Sequence, residues 1–70
     1  MITKNGYELI TSKVDKHGTL IALLNRGGKF QPWVVAWSYN PEEDFWGQGH
    51  YFSDFEDATE WYAQYGKLSA

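Results

Sequence analysis

The tightest constraint on this chain is the pair of aromatic runs that flank one proline turn. "WVVAWSY", Trp33–Tyr39, and "FWGQGHYF", Phe45–Phe52, stand on either side of "NPEED", Asn40–Asp44. Asparagine before proline starts a turn, and Pro41 presets its backbone angle. The flanking residues are β-branched and aromatic, as strands prefer. A hairpin closed by the four residues Pro41–Asp44 pairs Asn40 with Phe45, Ser38 with Gly47, Ala36 with Gly49 and Val34 with Tyr51. The other set is Tyr39 with Trp46, Trp37 with Gln48, Val35 with His50 and Trp33 with Phe52. Strand side chains alternate between faces, and a slip of one residue would exchange them. One face is then small at its centre: Ala36, Ser38, Gly47, Gly49. The other is large: Trp33, Val35, Trp37, Tyr39, Trp46, His50, Phe52.

Two further strand-like runs precede this hairpin. "YELITSKV", Tyr7–Val14, and "TLIALLNR", Thr19–Arg26, are joined by "DKHG", which reads as a hairpin loop. "RGGKFQP" is a glycine- and proline-rich connection to the aromatic hairpin. A helix closes the chain. "SDFE" reads as a capping box between Ser53 and Glu56, and Asp54, Glu56 and Asp57 load the first turn with negative charge. Phe55, Ala58, Trp61, Tyr62 and Tyr65 share one helical face, and Gly66 stands where a C-terminal cap belongs. The expected fold is α+β: one domain over residues 1–70, a four-stranded antiparallel meander with a C-terminal helix on one face, ββββα.

A single chain of 70 residues buries only about 60% of its unfolded surface and needs support for its core. It has no cysteine, so disulfides and thiolate metal sites are excluded. Large rings are the remaining route, each burying about 150–250 Å², or else self-association as a homodimer. No run approaches the roughly 18 apolar residues of a membrane span, and the start has no signal-peptide pattern; the chain reads as cytoplasmic.

Enzyme signals are weak. The serines lie in no nucleophile-elbow pattern, and "GQGHYF" and "RGGK" lack the spacing of phosphate loops. His17 reads as a solvated turn residue. His50 with Asp54 reads as a structural histidine–carboxylate pair rather than half a metal site. Glu42–Asp44 reads as a solvated acidic turn. The expectation is a non-catalytic module without cofactor or metal.

One helix cannot cover both faces of the sheet. If it rests on the small face, the rings of Trp33, Trp37, Tyr39 and Trp46 stay open as a protein-binding surface. If it rests on the large face, those rings are core. Charge divides along the chain. Residues 1–30 carry five cations against two anions, and residues 31–70 carry one against seven. Lys13, Lys16, Arg26 and Lys29, beside neighbouring rings, therefore form the alternative site, for single-stranded nucleic acid.

The segment "VVAWSYNPEEDFWGQGHYFSDFEDATEWYAQYG" resembles the strand–turn–strand–helix unit of the transcriptional-coactivator type of single-stranded-DNA binder. That resemblance implies a ββββα fold, dimers formed through paired sheets, and basic and aromatic sheet residues that hold the strand. The third and fourth strands here carry no lysine or arginine, so no site residue follows from it. In size, acidity and aromatic content the chain also resembles small accessory proteins of bacterial phages and mobile elements, some of which inhibit host proteins by binding their surfaces.

Overall fold

The structure is a computed structural model that describes residues 1–69, with side chains through Gln64. Four strands, β1 (Glu8–Val14), β2 (Leu20–Asn25), β3 (Trp33–Trp37) and β4 (Gln48–Phe52), precede one helix, α1 (Phe55–Ser69). The strands form an antiparallel sheet in the order β1-β2-β3-β4, as the short connections require. β2 and β3 supply the buried middle: Ile21, Ala22, Leu23, Leu24, Val34, Val35 and Ala36 are all at most 1% exposed.

The β3–β4 register is the one the turn demands. Trp33 pairs with Phe52, Val34 with Tyr51, Val35 with His50, Ala36 with Gly49 and Trp37 with Gln48, and a separate bridge joins Asn40 to Phe45. The β1–β2 turn is built as its sequence predicts. The Asp15 carboxylate accepts from the His17 and Thr19 amides (both 2.9 Å), and Gly18 takes a positive φ of 82°.

The helix start sits one residue later than the capping box implied. Asp54 caps it: its carboxylate accepts from the Glu56 amide at 2.8 Å, and its carbonyl accepts from the Ala58 amide at 3.1 Å. Glu56 is thereby the second residue of the first turn, out of place to reach back to Ser53. The helix also continues through Gly66 to Ser69, so Gly66 does not cap it. The expected place of Tyr65 on the apolar face lies outside the described side chains.

Of the two faces the sequence left open, the helix covers the one that carries Trp33 and Trp37, so these two rings are core and not the open protein-binding surface. Fully buried Ala58 sits over Ile21, Leu23 and Val35, and Trp33, Trp37, Phe52, Trp61 and Tyr62 close around them. A small residue at the centre of the helix face lets the helix approach the broad rings beside it. Trp33 and Phe55 lie 4.7 Å apart between ring centres, and Phe52 and Trp61 6.3 Å. Lys13 fastens the helix to β1. Its ammonium donates to the Tyr62 carbonyl at 2.6 Å and stands 4.0 Å from the centre of the Tyr62 ring. Among the described residues, no helix is long and apolar enough to cross a membrane.

Candidate functional site

The second face of the sheet is covered by loops rather than by the helix, and the backbone at Ser38 is the reason. Ser38 has φ of 59°, in the left-handed region. The Tyr39 amide then donates to the Leu20 carbonyl at 2.9 Å, while Trp37 is already paired with Ile21. Ser38 and Tyr39 together oppose Leu20 of β2, which is the arrangement of a β-bulge. The extra residue shifts the alternation. Tyr39 joins Ala22, Leu24, Val34 and Ala36 in a second core cluster, with Tyr7, Leu9, Leu20 and Trp46 packed against it. Trp33, Trp37, Tyr39 and Trp46 therefore do not share one face. Trp33 and Trp37 lie beneath the helix, while Tyr39 (5% exposed) and Trp46 belong to the opposite side.

Beyond the bulge, the tip of the β3–β4 connection meets the N-terminal segment over this second face. That segment doubles back on itself: the Thr3 amide donates to the Tyr7 carbonyl and the Leu9 amide to the Met1 carbonyl, both at 2.7 Å. The turn around Asn40 is closed locally, its side-chain oxygen accepting from the Glu42 (2.9 Å) and Glu43 (3.2 Å) amides. Asp44 joins the two pieces. Its carboxylate accepts from the Thr3 hydroxyl (2.5 Å), the Asn5 amide (2.8 Å) and the Tyr39 hydroxyl (2.6 Å), and its carbonyl accepts from the Asn5 side chain (3.1 Å). Asp44 is 3% exposed, which corrects its reading as a solvated turn residue; Glu42 and Glu43 are solvated.

The electrostatics follow from this geometry. Burial pushes the Asp44 carboxyl upward, but hydrogen bonds from Thr3, Tyr39 and Asn5 outweigh it and hold the group below its ordinary value. It is thus an anion at neutral pH. Burial first, and then the hydrogen bond to Asp44 and its charge, push the Tyr39 phenol up to about 12.

Between these parts lies a cleft of about 420 Å³, lined by Asn5, Tyr7, Asp44, Phe45, Trp46, Gly47, Gly49 and Tyr51. Tyr7 and Trp46 are inclined at 54° with ring centres 6.1 Å apart. The Trp46 indole crosses Gly49 so closely that an added Cβ there would lie 2.7 Å from the indole nitrogen. That nitrogen donates to the Tyr51 hydroxyl at 3.3 Å. Phe45 stands at the rim, 67% exposed, and Tyr51 is 40% exposed beneath the Arg26 guanidinium, 4.9 Å from its ring centre.

Of the residues that the sequence nominated for protein binding, only Trp46 lines this cleft. Tyr7, Phe45 and Tyr51 were missed. Gly47 and Gly49 carried the signal, since glycine inside a strand pattern marks a bulge or a close approach. The four nominated cations are not brought together. Lys13 is spent on the helix and Lys16 lies in the β1–β2 turn. Arg26 and Lys29 lie in the β2–β3 connection at the other end of the strands, about 20 Å away along a six-residue strand. His50 and Asp54 are likewise separate in role: the imidazole packs on Trp61 with centres 4.2 Å apart, and the carboxylate caps the helix. Among the described residues, no group of three or more histidines and carboxylates is placed to hold a metal ion.

The chain matches no protein-family model, no curated protein and no solved structure.

Proposed function

We propose that this chain is a small non-catalytic binding module that holds a protein partner in the aromatic cleft of its second sheet face. One observation carries the reading. Phe45 is held out at the rim of a formed cleft, 67% exposed, by a loop tied down through four hydrogen bonds to Asp44. Left to itself, a large ring on a short loop folds inward or disorders. A ring fixed outward beside other rings is preorganised for contact, which lowers the ordering cost of binding. Aromatic side chains also dominate the energetics of interfaces. The binding surface is thus Tyr7, Phe45, Trp46 and Tyr51, in place of the Trp33, Trp37, Tyr39 and Trp46 set.

A photo-reactive phenylalanine analogue placed at position 45 tests this. The account expects a defined crosslinked partner from the native environment, lost when Tyr51 is changed to serine. The same analogue at Phe30, which is 84% exposed but does not line the cleft, is expected not to capture that partner. Equal capture from both positions would mean that the rings are merely exposed, and would sink the proposal.

A further inference from the structure

Asp44 carries an unbalanced charge. Buried carboxylates are normally paired with a cation, because an isolated ion in the interior is costly. Among the described residues, the Asp44 carboxylate is held by neutral donors alone: a hydroxyl from Thr3, an amide from Asn5 and a phenol from Tyr39. The nearby Lys4 ammonium faces Glu43 instead, at 3.7 Å. Among the described residues, no lysine, arginine or histidine lines the cleft into whose wall Asp44 is set. The other walls are Tyr7, Phe45, Trp46 and Tyr51, whose ring faces are electron-rich and attract cations. The fold already uses this attraction just outside, where Arg26 lies over Tyr51. A negative wall and four rings therefore combine in one cavity.

We infer that the cleft receives a cationic side chain, the guanidinium or ammonium group of an arginine or lysine on the partner protein. The inference rests on the binding-module reading and names the chemistry of its occupant. Asp44 acts through the wall rather than by direct contact. It is almost fully buried, and three donors already occupy its oxygens. The rings supply the contact surface. Their attraction for a cation grows as the cation loses water, which a cleft of about 420 Å³ with a glycine floor permits. The exposed carboxylates of Glu42 and Glu43, on the adjoining loop, lie on the same side of the charge balance.

Amide and indole NMR spectra of the whole protein, titrated with short peptides, test the inference. The probes are a peptide with one central arginine, its lysine counterpart, and a counterpart with citrulline, which keeps the shape of arginine without its charge. The two charged peptides are expected to shift the Trp46 indole and the amides of Tyr7, Phe45, Gly47 and Tyr51, with affinity of roughly millimolar strength that falls as salt is added. Changing Phe45 to alanine, an exposed position whose loss spares the fold, is expected to weaken them about threefold or more. Citrulline binding as well as arginine would overturn the inference. So would shifts centred on the helix, or no shift with any peptide. Shifts at these residues on concentrating the protein alone would overturn it in favour of a second copy as occupant. Partner capture at position 45 together with indifference to charge would leave the binding module standing and remove only the cation.

Discussion

The two faces of this sheet are covered in different ways, and the difference separates scaffold from site. On one face a helix lays Ala58, Trp61 and Tyr62 over Ile21, Leu23 and Val35, and the contact is almost wholly apolar. On the other, two loops close over Ala22, Leu24, Val34 and Ala36, and they are fastened by a buried carboxylate. Apolar packing has no preferred direction and fills the space available. Hydrogen bonds to one anion fix positions, and they leave room beside them. The helix face keeps a smaller groove of about 270 Å³ along Phe52, Trp61 and Gln64 and leaves Phe55 41% exposed, whereas the loop face keeps a cleft of about 420 Å³ with the more exposed Phe45 at its rim.

The largest expected effect sharpens this contrast. Asp44→Ala strands the buried Tyr39 hydroxyl and the part-buried Thr3 hydroxyl and Asn5 amide, and places alanine at φ of 54°, a conformation that it resists. A stranded buried donor costs about 1–3 kcal/mol and the left-handed alanine about 1–2 kcal/mol more, so the loss is expected at about 2–5 kcal/mol, a large share of a small domain's stability. Hydrogen exchange should rise first in Thr3–Tyr7 and Asn40–Trp46, while amides of the central strand β2 stay protected longest. Uniform loss of protection would break the distinction between the faces.

Gly49→Ala comes next. The new methyl meets the Trp46 indole, not a flexible chain end, and overpacking of this kind costs about 1–3 kcal/mol. Chemical denaturation should report that loss, and ring signals of Trp46 and Tyr51 should move more than those of Trp33 and Trp37. A comparable substitution at Gly47, where an added Cβ lies 3.6 Å from Ser38, should disturb the cleft less.

Smaller effects belong to the helix side. Asp54→Ala is expected to cost about 1 kcal/mol in thermal or chemical unfolding, and Ser53→Ala less than half as much, because Asp54 holds the Glu56 amide. Reversed magnitudes would restore the capping box read from the sequence.

Acid should act on the loop face through Asp44. The folded Asp44 carboxyl titrates below its ordinary value of 3.8, so its stabilising share is present above that pH and is lost as pH falls through the lower folded value. Tyr39 gives the opposite limb: its share holds below pH 10.0 and is lost as pH rises toward about 12. Tyr39 and Trp46 ring signals followed by NMR should change in both windows before the Trp33–Phe55 contact does.

Much of this fold was legible because its determinants are local. "NPEED" fixed the closing turn and with it every pair between β3 and β4. "DKHG" fixed the first hairpin, and the spacing of Phe55, Ala58, Trp61 and Tyr62 fixed the buried side of the helix. What escaped depends on contacts distant in sequence or on one backbone angle. Thr3 and Asn5 meet Asp44 across about forty residues, and no periodicity announces that meeting. Ser38 adopts its left-handed angle within an otherwise regular aromatic run, and the pairing it leaves intact hides the change of face. The pairs were right, but Tyr39 and Trp46 lie on the face opposite to the expected one. Candidate binding residues were sought among the tryptophans, yet two of those pack beneath the helix, and the rings that line the cleft beside Trp46 are Tyr7, Phe45 and Tyr51.

The central claim is that the bulge at Ser38 divides the rings between two faces. Through-space proton contacts measured by NMR test it most directly. The account predicts contacts from Trp33 to Phe55 and from Phe52 to Trp61 on one side, and from Trp46 to both Tyr7 and Tyr39 on the other. Contacts from Tyr39 or Trp46 to Ala58 or Trp61, as an unbroken strand alternation requires, would contradict it.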